Sequence, residues 1–288
     1  MSSWRERFCR RWRPSTVAWM TTGADHAKPP RMRNIKLIIE YDGGAYCGWQ
    51  RQSNGLAIQQ VIEECIGKMT GESVRLTGSG RTDTGVHALG QVANFHTTSP
   101  LSERSLLLGI NSLLPADIVI REVCETSPSF HACFDAVSKA YLYRICNRQV
   151  RPALERNHAW FIWEPLDLAR MKETLPVFLG THDFSSFCST HTDSSDHTRT
   201  ILAMEVERGP DGRIDISVEA DGFLRYMVRT IVGTLVDCGR GKCSREEVSE
   251  ILSARDRRKA GLTAPPQGLF LVDVKYGAVK YDDLMKCR

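Results

Sequence analysis

The chain has 288 residues, 42% hydrophobic and 25% charged, with a formal net charge of +4 and a pI near 8.5. That is enough chain for one large domain or two small ones, and no apolar run approaches the roughly 18 to 20 residues of a membrane span. The basic balance permits an anionic partner without requiring one. Ten cysteines lie scattered with no C-x-x-C spacing, and no apolar leader is visible, so reduced thiols in the cytoplasm are expected.

Residues 1–33 form a basic extension. Arg5, Arg7, Arg10, Arg11 and Arg13 cluster there, Trp4, Trp12 and Trp19 interleave, and Pro29-Pro30 closes the stretch. Such a segment is a nucleic-acid arm, an organelle transit peptide or a dispensable tail before Met32; its composition favours a disordered tail. Beyond it, Ile35, Leu37 and Ile39 alternate with Lys36 and Glu40, a half-buried strand ending at the turn Asp42-Gly43-Gly44. Ile58, Val61, Ile62, Cys65, Ile66 and Met69 fall at helical spacing. A strand over Val74–Thr77 enters a glycine loop, and one over Gln91–Phe95 leaves it. Helix, strand and strand follow at Arg104–Leu114, Ile118–Val123 and Ala140–Cys146.

The second half uses the same ingredients. A helix is expected over Leu166–Phe178, and strands over Ile201–Glu207 and Ile214–Glu219 flank the turn Gly209-Pro210-Asp211-Gly212. A long helix over Leu224–Cys238 stops at Gly239, and Ser244 with Glu247 forms a capping box for a helix to Arg255. A strand from Gly268 to Val274 is last. This mixture predicts an α+β fold with a largely antiparallel sheet. Two α+β halves are expected, 34–146 carrying the glycine loop and 147–288 completing a cleft.

The loop itself, "GSGRTDTGVHALGQ" (78–91), sets Arg81 and Asp83 two residues apart. It is not a P-loop, because Val86-His87 stands where Lys-Ser/Thr is needed. Nor is it a dinucleotide fingerprint, because Asp83 replaces the third glycine and a strand follows. Residues i and i+2 of an extended loop share a side, so both charges can reach one cavity. A neighbouring guanidinium lowers a carboxyl pKa, which predicts a permanent anion suited to a nucleophile or electrostatic stabiliser. A structural ion pair pinning the turn satisfies the same spacing.

The stretch "GSGRTDTGVHALGQVANF" closely resembles the signature of the tRNA pseudouridine synthases that act on anticodon stem-loop uridines 38 to 40. Further matching pieces follow in order: "EYDGGAYCGWQRQ", "SKAYLYRI", "DFSSF", "FLRYMVRTIVGTLVDCG" and "TAPPQGLFLVDVKY". The resemblance implies the pseudouridine synthase fold, with two similar halves around the active-site cleft. It implies that Asp83 is the catalytic nucleophile and that Arg81 helps turn the target nucleotide out of the stem and contacts the aspartate. It assigns Tyr141 to the face of the flipped base, Arg229 to a pair with the carboxylate, and Leu269 to an apolar wall. Tyr143 shares a face with Tyr141, and the residues alone do not choose between them. Thr84 departs from the alanine usual in the family. No cofactor is implied, since the isomerisation neither gains nor loses a group, and a homodimer holding one tRNA is implied.

Arg255, Arg257, Arg258 and Lys259 concentrate at a helix end and are candidate phosphate contacts, or a solvated face. Cys188, His191, Asp193, Asp196 and His197 share a polar loop whose spacing fits no standard zinc site, so no metal is expected. His87 reads as a proton carrier or, more simply, a satisfied structural histidine, and Asp135 as structural. Two rivals remain: a non-catalytic RNA-binding or chaperone protein on the same fold, and a nucleoside glycosidase. The latter needs a second carboxylate to activate water.

Overall fold

In a computed structural model of the chain, residues 31–190 and 195–277 are described here; the expected extension falls almost wholly outside them. Met32 onward forms one compact unit. Its elements are β1 (Arg33–Tyr41), α1 (Ile58–Thr70), β2 (Thr77–Gly78), β3 (His87–Thr97), α2 (Glu103–Leu113), β4 (Ile118–Thr126) and β5 (Ala136–Asn147). There follow β6 (Trp160–Ile162), α3 (Leu168–Thr174), β7 (Gly180–Asp183), β8 (Thr198–Arg208), β9 (Arg213–Ala220), α4 (Met227–Gly239), α5 (Arg245–Ala254) and β10 (Leu269–Tyr276).

The strands make one 10-stranded sheet in the order β4-β1-β3-β10-β5-β9-β8-β7, with β2 beside β3 and β6 beside β5. Pairing is antiparallel except between β10 and β3 and between β5 and β6. The last strand therefore lies at the centre, between β3 and β5. Alternation sets the two faces of this sheet. Tyr141, Tyr143 and Ile145 of β5 stand opposite Val218, Ile216 and Ile214 of β9, and all six are buried. Helix residues Ile58, Ile62, Leu106, Ile110, Ile231 and Leu235 join them in one core cluster. Polar residues such as Ser217 and Glu205 fall between.

Strands β3, β5 and β8 extend beyond their expected bounds, and three other boundaries differ from the sequence expectation for a local reason. The strand expected over Val74–Thr77 shrinks to Thr77–Gly78. There, Glu63 of α1 accepts from Leu76 N at 2.9 Å and Gln59 donates to Leu76 O at 3.0 Å, so side chains replace a strand partner. The helix expected over Leu166–Phe178 starts late, capped by Asp167, and ends in a 3-10 turn at Leu175–Val177. Pro176 removes the donor that would continue it. The helix α4 begins at Met227 because Tyr226 adopts φ 67°, ψ 0°, which breaks the helical run from Leu224. Apart from Arg229 and Asp237 every residue of it is buried, in keeping with its largely apolar sequence. The capping box on α5 forms as expected.

Candidate active site

The catalytic-loop candidate runs from β2 to β3 and is fixed from below. Gln91 ties it by donating to Gly80 O at 2.9 Å and accepting from Ser79 Oγ at 2.6 Å, both polar groups being buried. Thr82 turns inward and shares a 2.8 Å hydrogen bond with the Tyr41 hydroxyl, while its carbonyl accepts from Trp49 N at 3.1 Å. Alternation then sends Arg81 and Asp83 outward, to a cavity of about 750 Å³. Two glycines make the packing possible. Gly85 turns the loop at φ +77°, and Gly48 at φ +86° lies so close that a Cβ would stand 2.5 Å from Thr82 O.

Arg229, in the first turns of α4, reaches across to this loop. Its Nη1 donates to Asp83 Oδ2 at 3.1 Å and its Nε to Ala264 O at 2.7 Å. Side-chain exposures are 12% for Arg229 and 22% for Asp83, so the pair is partly desolvated. Among the described residues Asp83 Oδ1 has no hydrogen-bond partner. The expected lowering of the Asp83 pKa does not occur: burial outweighs the Arg229 and Arg225 charges and holds the carboxyl above its ordinary value. Arg81 lies exposed on the same cavity wall and is not the cation bonded to Asp83 Oδ2 here.

The two tyrosines occupy different places. Tyr143 is fully buried and donates to Pro265 O at 2.7 Å, so its hydroxyl serves the core. Tyr141 lines the cavity with Asp83, and Phe223 meets its ring edge-on at 5.0 Å. Leu269 of β10 closes the apolar side. Tyr226, which sequence reading missed, has two guanidinium groups close to its ring. Arg225 lies 5.0 Å and Arg229 4.9 Å from its ring centroid, a double cation–π arrangement at the mouth of α4. The arginine–aromatic run "FLRYMVR" was the available signal.

Elsewhere the assignments separate. Arg255 pairs with Asp183 at 3.0 Å and Arg258 with Asp256 at 2.8 Å, both cations being largely exposed. Arg257 is engaged by Gly261 O at 3.0 Å and Thr263 Oγ1 at 2.8 Å, and Lys259 is exposed. His87 is buried away from the cavity, accepting from Gly43 N at 3.1 Å and facing Asn157 O at 3.0 Å, in keeping with a structural histidine. Asp135 accepts from His131 N at 2.8 Å. Of the polar loop, Cys188 is buried and Asp196 accepts from Thr198 N, whereas His191 and Asp193 lie outside the described residues.

A family model described as tRNA pseudouridine synthase matches residues 37–135 and 176–277, which contain Asp83, Arg229 and Leu269. The chain belongs to that family and is an isomerase. Among similar proteins, tRNA pseudouridine synthase A of Thermoanaerobacter sp. (strain X514) is 46% identical over 245 residues, covering 85% of this chain and 100% of that protein. The tRNA pseudouridine synthase A of Geotalea daltonii is 48% identical over 245 residues, with the same coverage. A solved structure, described as a crystal structure of a Cbf5-Nop10-Gar1 complex, matches with TM-score 0.33 and 12% identity over 82% of this chain and 48% of that one. So remote a likeness carries no argument. The family membership rests on the sequence matches.

Proposed function

We propose that this chain converts uridine to pseudouridine in the anticodon stem-loop of tRNA, at positions 38, 39 and 40, with Asp83 as nucleophile. One observation carries the reading. Asp83 is the single carboxylate among the described residues lining the cavity, and Arg81, Lys139, Arg199, Arg225 and Arg229 line it too. Five cations around one anion suit a polyanionic substrate and leave one group to react. A glycosidase would need a second carboxylate for water, and a pure binder gains nothing from an anion facing phosphates.

The chemistry follows from the arrangement. A paired base must first leave its stack, at a cost of a few kcal/mol. Arg81, at the exposed edge, fills the vacated space and binds phosphate, and the Tyr141 ring receives the extruded base, an interaction worth about 1–3 kcal/mol. Asp83 Oδ2 stays with Arg229 while Oδ1 faces the N1–C1′ bond. The carboxylate then adds to the sugar or base, or steadies an oxocarbenium-like sugar, as the N1–C1′ bond breaks; the base rotates, C5 bonds to C1′ and gives up its proton, and N1 gains one. Every atom is retained, so no cofactor is required. Arg255, Arg258 and Lys259 are assigned to phosphates of the same RNA, outside the cavity. The compartment we assign is the cytoplasm, in keeping with eight described cysteines that are free thiols. A homodimer holding one tRNA follows from the family resemblance and is tested by light scattering.

The deciding experiment is Asp83→Asn, which keeps the shape and removes the charge. Pseudouridine in the anticodon arm should fall below detection while tRNA affinity stays within about tenfold, or 1.4 kcal/mol. Isomerisation at near the parent rate would remove Asp83 from the reaction. A parent protein that binds the stem-loop but forms no pseudouridine would make it the RNA-binding alternative.

A further inference from the structure

Lys139 and Arg199 line the same cavity but have no part in the steps above. Lys139 sits on β5 two residues before Tyr141, on the same face of the strand, so it lies one pleat further along, roughly 7 Å away. Its neighbour across β9 is Ala220, and Ala220 in turn pairs with Ile201 of β8, two residues beyond Arg199. Adjacent strands thus bring both cations to one part of the wall. Gly80 of the catalytic loop lies against the ammonium: a Cβ there would stand 3.1 Å from Lys139 Nζ. Gly222 lies in the same way against Arg199, 3.3 Å from Nε. The absence of both side chains leaves the two charged groups open to the cavity.

Lys139 is half-buried, and among the described residues its ammonium has no hydrogen-bond acceptor. Leaving a desolvated cation unbonded is costly. Burial and the Arg199 charge push its pKa down, opposed only by the Cys133 thiol. Arg199 is held in place by donating from Nη1 to Asp196 O at 3.1 Å and Thr198 O at 2.5 Å. The charges acting on Asp83 are those of Arg229 and Arg225, not of Lys139 or Arg199. Asp196 is the acidic group acting on Arg199, but among the described residues no carboxylate hydrogen-bonds Lys139, and two half-buried, mutually repelling cations on one wall suit an anionic ligand.

We propose that Lys139 and Arg199 form a phosphodiester subsite that grips a backbone phosphate flanking the flipped uridine. This rests on the function proposed above. With the base on Tyr141, the ribose and its phosphates extend along β5 toward Lys139 and Gly80. The subsite holds the nucleotide by its backbone, so that C1′ is fixed against Asp83 while the freed base rotates.

The test uses the full chain and a stem-loop RNA with one target uridine, made with either the 5′ or the 3′ flanking linkage as a neutral methylphosphonate. For the native RNA, Lys139→Ala should weaken binding about tenfold and flatten the salt slope by about 0.7 to 0.9. The loss should fall in Kd and KM more than in kcat, and Lys139→Arg should restore most of it. One neutral linkage should weaken the wild-type protein by a similar factor and add no further loss to Lys139→Ala. The linkage substitution acts on unaltered protein, so the comparison stands even if a variant folds poorly. Equal losses in both proteins at both linkages overturn the subsite. So does a kcat loss at unchanged affinity, which would put the amine in the chemistry. If the wild-type protein binds the stem-loop without forming pseudouridine, the proposed reaction falls, while the linkage comparison still decides the subsite.

Discussion

Asp83 is asked to be both buried and charged. Burial raises its pKa, and Arg229 supplies the largest opposing pull. A raised pKa makes the carboxylate a more basic group to present to the sugar. With Asp83 in its proposed role, it also sets the acid limit of activity, because only the ionised form would act. Protonation on lowering the pH should therefore extinguish kcat/KM at a higher pH than an exposed aspartate, whose pKa is about 3.9, would allow. Arg229→Lys keeps a positive charge but loses the planar fork that spans Asp83 and Ala264 O. Its pull on the carboxyl weakens, so the acid limb should move to still higher pH. A pH profile on a stem-loop substrate checks both; a limb at or below the ordinary aspartate range, or unmoved by Arg229→Lys, would contradict the account. Stability runs the opposite way with pH. A carboxyl whose folded pKa is raised favours the fold below its unfolded pKa, and that contribution is lost as pH rises through the folded value.

At the scale of elements, the site depends on how closely the segment before α1 approaches the catalytic loop. Gly48 is the contact point, with a positive φ and no room for a Cβ beside Thr82 O. Gly48→Ala should cost about 2–3 kcal/mol through strain and displacement, lowering Tm by about 5–10 °C. Because Thr82 adjoins Asp83, kcat should fall by more than the folded fraction alone explains; thermal melts beside single-turnover rates measure both. Most elements were legible, since alternation in β1 and β9 and the 3.6-residue pattern of α1 are strong local signals. What escaped depended on distant groups. Glu63 and Gln59 taking the Leu76 backbone groups leaves no local trace, and β6 and β7 are too short to show a period. The centrality of β10 is a matter of topology. In the site, Asp83 and Arg81 were legible from the loop, whereas the Arg229 partner needed the family resemblance. The upward pKa shift depends on burial, which spacing does not reveal.

Over the whole molecule, a net charge of +4 is modest for an RNA-binding protein, so binding must depend on where the cations lie. Five of them line the cavity, and a second group occupies the segment after α5. The members of that second group are not equivalent. Lys259 is exposed, and Arg258 is 90% exposed although paired with Asp256, so both can turn to a phosphate. Arg257 is committed to the turn it closes through Gly261 O and Thr263 Oγ1. Changing Arg258 and Lys259 together to Ala should weaken RNA binding for all sequences alike and flatten the salt slope by about 1.4 to 1.8, two contacts at 0.7 to 0.9 each. Asp256, freed of Arg258, would repel the RNA further at low salt, so the affinity loss should be largest there. Arg257→Ala should instead lower Tm with a smaller change in slope, because it removes hydrogen bonds that shape the segment. Binding isotherms at several salt concentrations, with a melt for each variant, separate the two effects. An unchanged slope for the double variant would make this cluster a solvated face and leave the cavity cations to hold the RNA.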